Sequence, residues 1–310
     1  MKKFFKICRM PQGKLKSYVA TELESTHKEI VVDDGYVFAQ GDFPVLLVAH
    51  MDTVHKKLPK FIKNNNGVLS SPNGIGGDDR CGVYMILEIV KQINCSVLFT
   101  EDEEVGGIGA GKFAKSELAK SLKGKFNYAI EFDRKGNKDA VFYECDNPDF
   151  EKFITKEFFK TDFGSYSDIV DVAPVLGCAA VNLSCGYHKA HTKEEYVVWK
   201  EMKTSIEQAV RILERTTEKD KFEFIEADYG YGYGYGGYCY SGYAWGNEYD
   251  YVVEYHDKNW NYDAELVLAI SDIEAIGHFL MNNPELTYNH IIDVYLDDTY
   301  MDKGTKGKWD

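Results

Sequence analysis

Short apolar runs alternate, along the first two thirds of the chain, with stretches in which apolar residues recur at helical spacing. Residues 45–49, 96–100, 128–132 and 179–183 are near-continuous apolar runs, the pattern of strands buried on both faces. Residues 81–92, 111–120, 150–159 and 200–215 carry the period of helices between or after those strands. This alternation predicts an α/β fold, a mostly parallel central sheet with helices on both faces. In such sheets a ligand site lies beyond the carboxyl ends of the strands.

Past residue 218 the pattern changes. Residues 229–246 read YGYGYGYGGYCYSGYAWG, whose glycines rule out a regular helix and suit a linker or an extended ribbon. An aromatic contact surface is the alternative use of the same run. Helical periodicity returns at 263–282. The expected organisation is an α/β domain at 1–218, a Tyr/Gly-rich linker or ribbon at 219–250, and a small acidic, partly helical module at 251–310.

Charge supports that division. The formal net charge is −14, but residues 216–310 hold 19 acidic and 6 basic side chains, whereas residues 1–215 hold 31 and 30. A neutral body with an acidic tail argues against nucleic acid and anionic membranes as partners. The seven cysteines (8, 81, 95, 145, 178, 185 and 239) include no C-x-x-C pair, and several sit in apolar runs as small buried thiols do. Lys2, Lys3 and Lys6 precede no apolar signal core, and no apolar run approaches ~18 residues. A cytoplasmic, reduced protein is expected.

The chemistry gathers where strands end. VLLVAHMDTV sets His50 and Asp52 two apart, on one side of an extended chain, where a carboxylate can orient a ligand histidine. Alone, H-x-D is more often structural. GIGGDDRCG places Asp78 and Asp79 in a glycine-rich loop before a helix. Adjacent carboxylates repel, and bridging two cations relieves them; a solvated helix cap is the plainer reading. VLFTEDEEVGGIGA follows a strand with four consecutive acids, Glu101 to Glu104, of which one glutamate can bind metal while its neighbour moves protons. YAIEFDR ends another strand on Asp133, and NLSCGYHKAHTKEEYV supplies His188 and His191, either of which suits a ligand. Imidazole with carboxylate favours zinc or a related divalent ion. His27, His55, His256, His278 and His290 lack such settings and read as surface or packing residues.

Together these five motifs, over residues 40–215 and in order, resemble the co-catalytic di-zinc exopeptidases, the superfamily of tripeptidase T, glutamate carboxypeptidase and the zinc aminopeptidases. The resemblance implies two Zn2+ per chain, with Co2+ or Mn2+ as possible substitutes. It makes His50, Asp78, Glu104, Asp133 and His191 the metal ligands, Asp78 bridging, with Asp52 orienting His50 and Glu103 as general base. His191 is preferred because Glu195 follows it by four residues, as in the family. His188 is then a substrate or transition-state contact, and Asp168, in SYSDIV, a residue lining the pocket. Asp133 and His191 are only 58 apart, and Asp52 and Asp78 only 26, so the chain lacks room for the family's lid or large insert.

The implied activity is an aminopeptidase or di/tripeptidase on short peptides. An amidohydrolase of N-acyl amino acids would use the same centre, and a non-catalytic scaffold would use the acidic, Tyr-rich tail. Side-chain preference and oligomeric state are not encoded in any of these motifs.

Overall fold

The structure, a computed structural model, describes residues 1–164, 166–227, 249–258, 261–269, 279, 283, 286 and 290–296. The chain forms two compact units, Met1–Ala227 and Asp228–Asp310.

The first unit is built on an eight-stranded sheet. Its strands run in the order Glu29–Asp33, Tyr36–Gln40, Cys95–Thr100, Phe43–His50, Tyr128–Arg134, Ala180–Ser184, Asp139–Val141 and Lys160–Thr161. The four central strands are mutually parallel, and antiparallel partners flank them on each side. Strand Phe43–His50 shows why the sequence there is continuously apolar. Val45, Leu47 and Ala49 enter one core while Leu46 and Val48 enter the other. Helices Lys2–Cys8, Gln12–Leu23, Gly77–Ile89, Pro148–Thr155 and Trp199–Arg215 cover the first face. Helices Ile108–Lys115, Glu117–Leu122 and Ile169–Leu176 cover the second. The expected mostly parallel sheet with helices on both faces is the observed fold.

Two local differences have physical causes. The helix expected at 111–120 is two helices, because Ser116 is extended (φ −74°, ψ 154°) and its hydroxyl caps the second by accepting from Ala119 N at 3.1 Å. Past residue 218 the chain stays on the sheet: Ala179 N donates to Phe222 O (2.9 Å), and Phe222 N to Asn127 O (2.8 Å).

A smaller antiparallel sheet joins Tyr187–His188, Tyr196–Val198, Val68–Ser70 and Lys63–Asn65 in that order. It fastens the segment after the last parallel strand to the loop that precedes helix Gly77–Ile89.

In the second unit, strand Tyr249–His256 lies between Tyr262–Ala269 and Ile291–Leu296, all antiparallel. The helical periodicity expected from residue 263 is thus overridden at its start. Antiparallel pairing with the whole of Tyr249–His256 holds residues 262–269 extended instead. The Tyr/Gly run 229–246 and most of 270–282 lie outside the described residues. No helix among the described residues is long and apolar enough to cross a membrane.

Candidate active site

The parallel strands end side by side, and their ends deliver the side chains. His50 is the last residue of its strand and pairs in register with Thr100, after which the acidic run begins. Asp133 lies near the end of Tyr128–Arg134, and Asn182 of the neighbouring strand grips its backbone on both sides. Asp133 N donates to Asn182 Oδ1 and Asn182 Nδ2 donates to Asp133 O, each at 2.8 Å. His191 sits in the loop beyond Ala180–Ser184 with φ 63°, a conformation that non-glycine residues hold only when their surroundings impose it.

At the centre is Asp78. One oxygen faces His50 Nε2 at 3.1 Å and the other faces His191 Nε2 at 3.2 Å. On the His50 side, Asp133 Oδ1 lies 3.5 Å and Glu103 Oε2 3.9 Å from Nε2. On the His191 side, Glu104 Oε2 lies 3.0 Å from Nε2. Donor atoms of Asp78, Glu104 and His191 lie within 4.8 Å of one another; so do those of His50, Glu103 and Glu104, and those of His50, Asp79 and Asp133. Asp79 therefore approaches the first side. Asp78 is the residue that faces both histidines, which favours it as the bridge. Asp79 Oδ1 is taken by Gly82 N at 2.8 Å. Arg80 is turned away, donating to Ile7 O and Met10 O.

The four acids of the run have different tasks. Glu101 accepts from Lys16 Nζ (2.6 Å) and Gly35 N (3.2 Å), and Asp102 accepts from Gln12 Nε2 (2.9 Å). These two fasten the loop to its surroundings, while Glu103 and Glu104 enter the cluster. Asp52 does more than orient His50, whose Nδ1 it meets at 3.0 Å: it also accepts from Glu103 N and Glu104 N, both at 3.0 Å.

Carboxylates outnumber histidines here, and protonation registers the excess. Burial opposes charge on both histidines, but Asp133 and Asp52 around His50, and Glu104 and Asp78 around His191, hold their pKa values well above normal. Burial, and then the negative charge of Asp78, pushes Asp133 up to about 7. Burial likewise raises Glu103 and Glu104. Asp78, against its burial, is held low by the two histidines. Glu104 Oε1 and Asp79 Oδ2 are buried without hydrogen-bond partners. Mixed imidazole and carboxylate donors with unspent negative charge are the chemistry that divalent cations satisfy, so the residues fit a metal centre.

Two expected residues lie apart from the cluster. His188 Nε2 is engaged by Glu201 Oε2 at 2.6 Å, and its ring stacks on Tyr196. Asp168 is fully buried at the start of helix Ile169–Leu176, where Thr100 Oγ1 donates to its Oδ2. Its other oxygen has no partner. The reading of His55 and His27 also needs refinement. His55 Nε2 lies 2.7 Å from the buried Glu195, and His27 Nε2 lies 2.8 Å from Cys95 O. Sequence reasoning also passed over Tyr187, whose hydroxyl donates to Asp133 Oδ1 at 3.2 Å. It used Glu195 only as a spacing mark for His191.

Residues 37–160 match the family profile of peptidase family M28. No curated protein matches the sequence. Among solved structures, the chain is similar to aminopeptidase PepT from Bacillus cereus (14% identity, TM-score 0.58, covering 69% of this chain and 96% of that one). It is also similar to an aminopeptidase from Desulfurococcus kamchatkensis (14% identity, TM-score 0.55, 71% and 95%) and to a tripeptidase from Staphylococcus aureus (14% identity, TM-score 0.53, 68% and 95%). At such identities the likeness is one of fold. With the family match and the five motifs it upholds the resemblance to the co-catalytic exopeptidases, and the chain is a hydrolase of the metallopeptidase class.

Proposed function

We propose that this chain is a metal-dependent exopeptidase, an aminopeptidase or di/tripeptidase acting on short peptides with two zinc ions. The observation that carries the reading is the Asp78 carboxylate, set between His50 and His191 with one oxygen toward each. His50, Asp78 and Asp133 would hold one ion, and Asp78, Glu104 and His191 the other. When bound, the ions supply Lewis-acid polarisation of the scissile carbonyl and acidify the attacking water.

The chain's own groups do the rest. Asp52 holds His50 Nδ1, which directs Nε2 into the cluster. Glu103 lies beside His50 outside the two proposed ligand sets, and burial gives it a raised pKa. Among the described residues its oxygens make no backbone contact of the kind that occupies Asp79 Oδ1. That suits a base that takes a proton from water and returns it to the leaving amine. The short spacing from Asp133 to His191 leaves no room for the lid that family members insert there, in keeping with short peptides as substrates. The names of the solved relatives, aminopeptidase and tripeptidase, support the same substrate class. Six described cysteines, all buried and unpaired, support a cytoplasmic setting. The catalytic domain expected at 1–218 would extend through Ala227, with residues 228–310 as an appended unit.

The test is hydrolysis of an aminoacyl anilide beside an N-acetyl amino acid, each with chelator and with restored zinc. Zinc-dependent cleavage of the anilide is expected. Cleavage of the N-acetyl substrate alone would establish the deacylase instead, and a metal-free, inert protein would establish a scaffold. Glu103→Ala is expected to retain both ions while losing roughly 10²–10⁴-fold in turnover; near-normal activity would remove Glu103 as the base.

A further inference from the structure

Glu195 is completely buried and belongs to neither proposed ligand set. Both of its oxygens are nevertheless spent on the loops that carry the candidate ligands. Oε1 accepts from the backbone N–H of Asp78 at 3.0 Å. Oε2 accepts from Gly76 N at 2.7 Å and meets His55 Nε2 at 2.7 Å. The segments so joined are those of the candidate ligands: His55 follows His50 and Asp52, Asp78 is the central carboxylate itself, and Glu195 follows His191.

The glycines of the GIGG run fit this arrangement. Gly74 has φ 84°, and a Cβ there would stand 2.1 Å from Cε1 of the His55 ring. A Cβ on Gly77 would meet Val197 at 2.7 Å, Tyr187 at 2.8 Å and Glu195 Oε1 at 3.4 Å. The loop must lie this close for one carboxylate to reach two of its amides. A further tie, Gly74 N to Lys193 O at 3.1 Å, repeats the connection through backbone alone.

We infer that Glu195 is a positioning residue for the metal centre: by gripping the Asp78 amide and His55, it fixes the Asp78 carboxylate between His50 and His191. The inference rests on the exopeptidase reading, because it presumes that ions bind there. It differs from a general packing role, which would lower stability without changing how the folded apoprotein binds zinc.

The experiment is competition between the full-length apoprotein and a chromophoric zinc chelator, with thermal unfolding of the apoprotein measured in parallel. In Glu195→Gln the amide group must turn its own N–H toward a backbone N–H, so one side of the grip is broken. Zinc affinity is expected to fall roughly 10–100-fold, the usual effect of losing an outer-shell partner. His55→Gln leaves both backbone contacts intact, and a smaller fall, at least threefold, is expected. Unchanged zinc affinity in folded Glu195→Gln, whatever its melting temperature, would overturn the inference. If that variant does not fold, His55→Gln decides by the same measure: weaker binding upholds the inference and wild-type binding overturns it. Wild-type protein that takes up no zinc would overturn the exopeptidase reading and this inference together, whereas equal uptake by wild type and variants overturns this inference alone.

Discussion

Removing the Asp52 carboxylate tests whether the two halves of the site share one support. Asp52 accepts from His50 Nδ1, Glu103 N and Glu104 N, each at 3.0 Å. A hydrogen bond to a charged group contributes about 1.5–3 kcal/mol, so three donors left dry would cost roughly 4.5–9 kcal/mol. Two effects reduce that figure in Asp52→Ala. Asp52 is 9% exposed, so water can reach some of the abandoned donors, and the variant no longer desolvates a carboxylate. We expect a loss of about 3–4 kcal/mol, near the upper end for single substitutions, and a melting temperature lower by roughly 6–16 °C. Asp52→Asn, which keeps one acceptor, should lose about half as much. Urea unfolding followed by circular dichroism gives the comparison. The pH dependence has a definite sign. Burial alone would raise the Asp52 pKa, but His50 and the two amides hold it below normal. The gap between wild type and Asp52→Ala is therefore full above about pH 4 and closes as pH falls through the lowered value. A loss under about 1 kcal/mol for Asp52→Ala would refute the shared support.

Other outcomes follow from the cluster's charge and from the loop. In chelator-treated protein, burial holds Asp133 at about 7, and Asp168 and Glu131 (buried on the strand that carries Asp133) at about 8, all above their unfolded values. Stability from these groups is lost as pH rises, so the apoprotein should melt at a higher temperature at pH 5 than at pH 8, and zinc should narrow the difference. A melting temperature that rises with pH over that range would contradict the protonation pattern. Gly74→Ala places a Cβ against the His55 ring at φ 84° and should cost about 2–4 kcal/mol; a thermal shift within a degree of wild type would show that the loop yields.

Much of the sheet could be read from local pattern because the central strands are buried on both faces. A run such as 45–49 must then be apolar at every position, and it is the core of the observed strand Phe43–His50. Strand Glu29–Asp33 escaped notice for the opposite reason: it is a largely exposed edge whose residues give no clear period. The cluster was legible because each of its members ends a strand or follows one. The Glu195–His55 contact was not, since its partners are 140 residues apart. His188 and His191 are chemically alike and in sequence are told apart only by the spacing to Glu195; the fold makes one a partner of Glu201 and the other a partner of Asp78. At 263–269 the extended conformation comes from pairing with the preceding strand Tyr249–His256, which the apolar spacing of 263–282 taken alone does not reveal.

The division of labour within Glu101–Glu104 makes that stretch sensitive to frame rather than to charge. The first two acids anchor and the last two enter the cluster, so position along the run decides each task. Deleting Asp102 would leave three of four negative charges, yet either the Lys16 anchor or the alignment with Asp52 and His191 would be displaced. The same logic applies to an inserted acid, which adds charge and still breaks the site. Insertions and deletions here should therefore be far less tolerated than a swap of glutamate for glutamine at Glu101, where the length of the run is preserved.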